Sequence, residues 1–89
     1  MEDKLFDLAG ELLDKWKQMA RILRMSESKI REIEVNFKQE GVREQAIQML
    51  LAFRDLYPDK CTLNVLSTAL CKIGLGYVAR QYCFAAELG

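Results

Sequence analysis

The chain has 89 residues, 51% of them hydrophobic and 29% charged, with 13 basic side chains against 13 acidic ones. This supplies one core but not a core plus an enzyme cleft of ordinary depth, and the composition excludes intrinsic disorder. A formal net charge of zero gives no whole-molecule field to attract nucleic acid or an anionic membrane, and the absence of histidine removes imidazole as base, acid or metal ligand.

One proline and five glycines leave few interruptions, and the residues between them are comfortable in helices, so the expected class is all-α in a single domain, 1–89. Its ordered core is expected over roughly residues 3–84. Leu5, Leu8, Ala9, Leu12, Leu13 and Trp16 recur at helical spacing, with Asp3, Asp7 and Glu11 on the opposite side. The first helix is therefore amphipathic and acid-faced. Periodicity alone permits it to run from about residue 3 to about residue 24.

From Trp16 the apolar stripe continues through Met19, Ala20 and Leu23, while Lys17, Arg21 and Arg24 form a basic stripe on the polar side. Ser26 is a candidate N-cap for a following helix carrying Ile30 and Ile33, with Glu27 in its first turn and Lys29 where a capping box would place Glu or Gln. The period fades from Val35 to Glu40, and Gly41 breaks the chain before a long segment from Val42 to Tyr57. There Ala46, Ile47, Leu50, Leu51 and Phe53 cover a wide arc, which predicts a central helix buried on more than one side. Pro58 and Asp59 end it. Thr62 can cap a fifth helix whose Leu63, Leu66, Ala69, Leu70 and Ile73 point one way, Gly74-Leu75-Gly76 marks a turn, and Val78, Ala79 and Tyr82 predict a short sixth helix. The expected core includes Trp16, Leu23, Ile30, Ile33, Leu50, Leu66 and Leu70.

No catalytic constellation emerges. Glu32 and Glu34 diverge on a helix, Glu40 and Glu44 lie among Lys38 and Arg43, and Gly74-x-Gly76 lacks the third glycine and preceding strand of a phosphate loop. Cys61, Cys71 and Cys83 are an odd number without metal or redox spacing and read as reduced, buried thiols. No cofactor, metal or small-molecule substrate is expected. The Met-Glu-Asp-Lys start is unlike a signal peptide, and no apolar run reaches the length of a membrane span, so the expected location is cytoplasmic or nuclear. A small helix-turn-helix nucleic-acid module is the alternative from another class, since residues 16–34 offer two helices and a tight turn. Glu27, Glu32 and Glu34 on the would-be recognition helix work against it.

The order W-x-x-M-A-x-x-L-x-M-S-x-x-x-I-x-x-I-E over Trp16 to Glu34 resembles the second and third helices of the death domain family. Val42 to Phe53 resembles the family's fourth helix, and Thr62 to Leu75 its fifth helix and following turn. The resemblance implies a six-helix antiparallel Greek-key bundle, with a break near Asp14, which could then cap the second helix. A death effector domain usually carries Arg-x-Asp-Leu in its last helix, whereas Arg80 here precedes Gln81, Tyr82 and Cys83. A caspase-recruitment domain is the structural alternative, but lacks so clear a tryptophan and Ser-x-x-x-Ile pattern.

Death domains are homotypic recognition modules of apoptotic and inflammatory signalling, so the resemblance implies an adaptor or scaffold with death-domain partners and no reaction of its own. Residues 1–14 hold five acids and one base, and residues 15–34 hold six bases and three acids. A recurring family contact joins the second and third helices of one domain to the first and fourth of another. It implies a basic patch of Lys17, Arg21, Arg24, Lys29 and Arg31 and a complementary acidic patch of Asp3, Asp7 and Glu11.

Overall fold

The computed structural model describes residues 2–80, including the side chains of all of these except 2–4 and 63. Among the described residues the regular structure is all helical, without a strand: α1 (Glu2–Leu12), α2 (Trp16–Ile22), α3 (Glu27–Asn36), α4 (Val42–Leu56), α5 (Leu63–Lys72) and a single turn, α6 (Gly76–Ala79). Tyr82 and Cys83 lie outside the described residues, as do the side chains of Asp3 and Leu63.

The long helix that periodicity permits is interrupted by a 3-10 turn at Leu13–Lys15. Leu13 adopts a left-handed φ of 45° and is 48% exposed, so it leaves the apolar stripe on which its spacing had placed it. Asp14 does not cap α2: the N-cap position falls on Lys15, without a side-chain hydrogen bond. The helix starts at Ser26 and Thr62 are capped as the sequence indicates, with Ser26 Oγ accepting from the Lys29 N–H and Thr62 Oγ1 from the Val65 N–H, each at 3.2 Å. Gly41 enters α4 at φ 98° and ψ 174°, a conformation reserved for glycine.

α2 and α5 end in the same Schellman geometry. At α5 the Leu75 N–H returns to the Leu70 carbonyl at 2.8 Å and the Gly74 N–H to Cys71 at 3.2 Å, with Gly74 at φ 84°. At α2 the Met25 N–H returns to Ala20 and the Arg24 N–H to Arg21, both at 3.0 Å, but the left-handed position, φ 66°, holds Arg24. An arginine there is less stable than a glycine by about 1 kcal/mol.

α4 is the central helix and packs against α1, α2 and α3, while α5 packs against α2 and α6. Its Ala46, Met49, Leu50 and Phe53 are buried together with Leu5, Leu8 and Leu12 of α1, Trp16 and Met19 of α2, Ile30 and Ile33 of α3, and Leu66 and Leu70 of α5. Leu23 is buried beyond the end of α2, and Ile47, Leu51 and Ile73 are partly buried at the margin of this core. Cys61 is buried. Cys71 is exposed, contrary to the expected burial, because it follows Leu70 on α5 and so points off the apolar face.

Trp16 is 1% exposed, and its indole N–H donates to Gln45 Oε1 at 3.2 Å. Gln45, itself buried, donates from Nε2 to the Phe37 carbonyl at 3.3 Å, which lies just past the end of α3. One amide thus ties α2, α4 and the exit of α3. Trp16→Ala should lower urea-unfolding stability by about 3–5 kcal/mol, a large share of the roughly 4–13 kcal/mol available to a chain of this length. Gln45→Met keeps the volume but leaves the indole N–H and the Phe37 carbonyl unpaired, and should lose about 1–3 kcal/mol with its helical spectrum unchanged. A wild-type urea midpoint for Gln45→Met would show that the relay contributes nothing.

Candidate interaction surface

The basic residues picked out by sequence fall on α2, on α3 and in the turn between them, and the structure divides them into two groups. Lys17 and Arg21, one turn apart on α2, face acids of α3. Lys17 Nζ pairs with Glu34 Oε2. Arg21 grips Glu27 through two bonds, Nε to Oε2 at 3.0 Å and Nη2 to Oε1 at 3.2 Å. On α3 itself, Lys29 pairs with Glu32 at 3.3 Å. The α2–α3 surface is therefore a set of alternating ion pairs and not a uniformly basic patch. Arg24 and Arg31 are exposed and have no carboxylate partner among the described residues.

Arg24 is not a member of the α2 stripe. The helix ends at Ile22, and the left-handed turn carries Arg24 toward a groove shared with α4 and α5. The four- and three-residue intervals from Lys17 to Arg24 describe one helical face only within a helix, and α2 stops two residues before Arg24.

The pairs leave an electrostatic signature. The hydrogen bond from Arg21 holds the Glu27 carboxyl below the usual carboxylate range. The hydrogen bond from Lys17 does the same for Glu34, with further attraction from Lys38 and Arg31. All of these groups remain solvated, so each pair adds little stability, and each can exchange its internal partner for one on another molecule at small loss.

The acidic half lies on α1. Asp7 and Glu11 are exposed; the side chain of Asp3 falls outside the described residues. The face also carries a base: a Cβ placed on Gly10 would sit 3.4 Å from Arg43 Nε, so the α4 guanidinium lies against the backbone of α1 at Gly10. Phe6, 37% exposed, lines a shallow pocket with Arg43, Ile47 and Leu51. Phe6 is not among the interaction residues expected from sequence. Its signal was available, because Phe6 falls one position off the Leu5–Leu8–Leu12 stripe and so presents an aromatic ring outside the core.

Among the described residues no group of three potential metal ligands occurs, and no helix is long and apolar enough to cross a membrane. Burial pushes the Cys61 thiol above its ordinary pKa, with Arg54 opposing, so it is not an activated thiolate.

The depressed carboxyls make acid stability a test of the pairs. A carboxyl whose folded pKa lies below its unfolded value contributes stability that is fully present above the unfolded value, about 4.3 for Glu, and is lost as pH falls through the folded value. The melting temperature should therefore fall on acidification from about pH 6 to about pH 3, and Glu34→Gln should melt below wild type at the upper end while converging on it at the lower. A constant gap across that range would mean that the Lys17–Glu34 pair is not linked to folding.

No curated protein and no solved structure gives a significant match to this chain. A family model described as Death domain matches residues 2–82, nearly its whole length, in agreement with the all-α bundle. Such domains are homotypic protein-interaction modules and not enzymes, and this chain belongs to the death domain family.

Proposed function

We propose that this domain is an adaptor or scaffold element that joins oligomeric signalling complexes of the apoptotic or innate immune type, in the cytoplasm, by binding other death domains, a second copy of itself included. The observation that carries the reading is the presence, on one death domain, of an acidic α1 and an α2–α3 surface with basic side chains held at its face. Lys17, Arg21, Lys29 and Arg31 meet Asp3, Asp7 and Glu11 of the next molecule. Arg31 brings to that contact a charge that makes no ion pair among the described residues, and Lys17, Arg21 and Lys29 arrive already oriented by Glu34, Glu27 and Glu32. Phe6 supplies the apolar anchor beside the acids, as aromatic side chains do at the energetic centre of many interfaces. Arg24, first grouped with the basic patch, stands at its edge.

The contact is heterologous, one patch meeting a different patch, so it repeats head to tail and builds an oligomer without a further surface. Sedimentation velocity tests it. Wild type should associate with rising concentration, and less so as salt rises from about 50 to about 300 mM. Lys29→Glu with Arg31→Glu should weaken association by at least about tenfold, with the melting temperature nearly unchanged because both residues lie on the surface. Mixing that double variant with Asp7→Lys should restore a complex. Wild-type sedimentation of the double variant, or no recovery in the mixture, removes this pair of patches from the function.

A further inference from the structure

We propose that the groove between α2, α4 and α5 docks a short acidic peptide segment bearing one or two apolar side chains. This goes beyond the homotypic contact, since it needs no second death domain and uses a different face. The groove has a volume of about 420 Å³, within the range of ligand sites. Phe53 and Ala69 form a buried floor, and Ile22 and Tyr57, 38% and 37% exposed, leave apolar surface open to an entering side chain. Tyr57 is held by ring packing on Phe53, with centroids 5.8 Å apart.

The rim carries Arg24, Lys60 and Lys72, and among the described residues no aspartate or glutamate lines the groove. None of the three cations has a carboxylate partner among the described residues. The contrast with α2–α3 is direct: there every basic residue but Arg31 is paired with an acid of the same chain. Lys60 is positioned by the Tyr57-Pro58-Asp59-Lys60 turn, whose closing bond runs from the Lys60 N–H to the Tyr57 carbonyl at 2.9 Å, and its ammonium lies 5.5 Å from the centre of the Tyr57 ring.

Arg24 is the second observation. Of the two Schellman termini, α5 fills its left-handed position with glycine, while α2 fills it with an arginine that the conformation disfavours. Backbone strain of this kind persists where the side chain does something glycine cannot, and here it places a guanidinium on the groove rim.

The occupant follows from the chemistry. Recessed apolar floor between helices is out of reach of a flat membrane and useless to duplex phosphates. A peptide satisfies floor and rim at once, with apolar side chains in the groove and carboxylates at its cationic edges. Asn64, whose side-chain amide has no hydrogen-bond partner among the described residues, offers a donor and an acceptor to a peptide backbone. From Asn64 to Lys72 the groove follows α5 for about 12 Å, the reach of roughly four extended residues.

The test is fluorescence anisotropy with the 89-residue chain and a fluorescein-labelled peptide of two leucines followed by three glutamates. Saturable binding below about 1 mM is expected, weaker by at least about tenfold when serines replace the leucines or lysines replace the glutamates. Arg24→Gly should weaken binding by at least about tenfold while melting at or above the wild-type temperature, and Lys72→Glu should weaken it similarly. The Lys29→Glu, Arg31→Glu variant should bind the peptide like wild type, which separates this groove from the homotypic patch. No saturation, undiminished binding by Arg24→Gly, equal binding of the leucine-free peptide, or equal displacement by duplex DNA or phosphatidylserine vesicles overturns the proposal.

Discussion

The bond from the Trp16 indole to Gln45 is the constraint on which the arrangement of the surface rests. An indole N–H taken fully out of water needs an acceptor, and an amide taken in beside it needs partners at both ends. Gln45 meets both requirements by accepting from Trp16 and donating to Phe37. Three helices are thereby referred to one side chain: α2 through the tryptophan, α4 through the glutamine, and α3 through the carbonyl at its exit. Apolar packing alone would tolerate sliding among leucines and isoleucines. The polar relay is directional and admits one register.

That register decides what the surface charges can do. With α2 and α3 fixed against α4, Lys17 and Arg21 come opposite Glu34 and Glu27, and the helices acquire a shared ionic face. Solvated pairs of this kind contribute far less than the burial of Trp16, so they follow from the fold and do not make it. Their value lies in order. A lysine already held in one rotamer loses less freedom when a partner's carboxylate replaces its own.

Most of the fold was legible because helix signals are local. Ser26 and Thr62 cap their helices through side chains two or three atoms from the backbone, and the spacing of Leu5, Leu8 and Leu12 or of Ile30 and Ile33 fixes a buried face without reference to any other helix. What stayed illegible is tertiary or conformational. Gln45 reads as one more polar residue on α4 until Trp16 is placed beside it. Leu13 and Arg24 fall on helical stripes by spacing, but both sit at left-handed positions where the helix has ended, so advancing 100° per residue does not give their projections. Asp14 has the chemistry of a cap, but the 3-10 turn shifts the start of α2 one residue past it. Residue type revealed which side chains were basic; only the path of the backbone separated the paired ones from those left open.

A net charge of zero gives these local arrangements their force. Charges farther apart than about 8 Å are largely screened at physiological salt, so a balanced molecule presents its partners with patches and no overall field. Acids of α1 and bases of α2–α3 are carried by neighbouring elements, with Asp7 and Glu11 exposed on one helix and Arg21 and Arg31 exposed on the others. The acids of α3 already engage Lys17, Arg21 and Lys29, so a partner's carboxylates compete with internal ones at that face and meet no competitor among the described residues at Arg24, Lys60 and Lys72. The paired face suits a reversible contact whose strength comes from repetition along an assembly. The unpaired groove suits a single acidic segment, because there the gain from each new ion pair is not offset by breaking an old one.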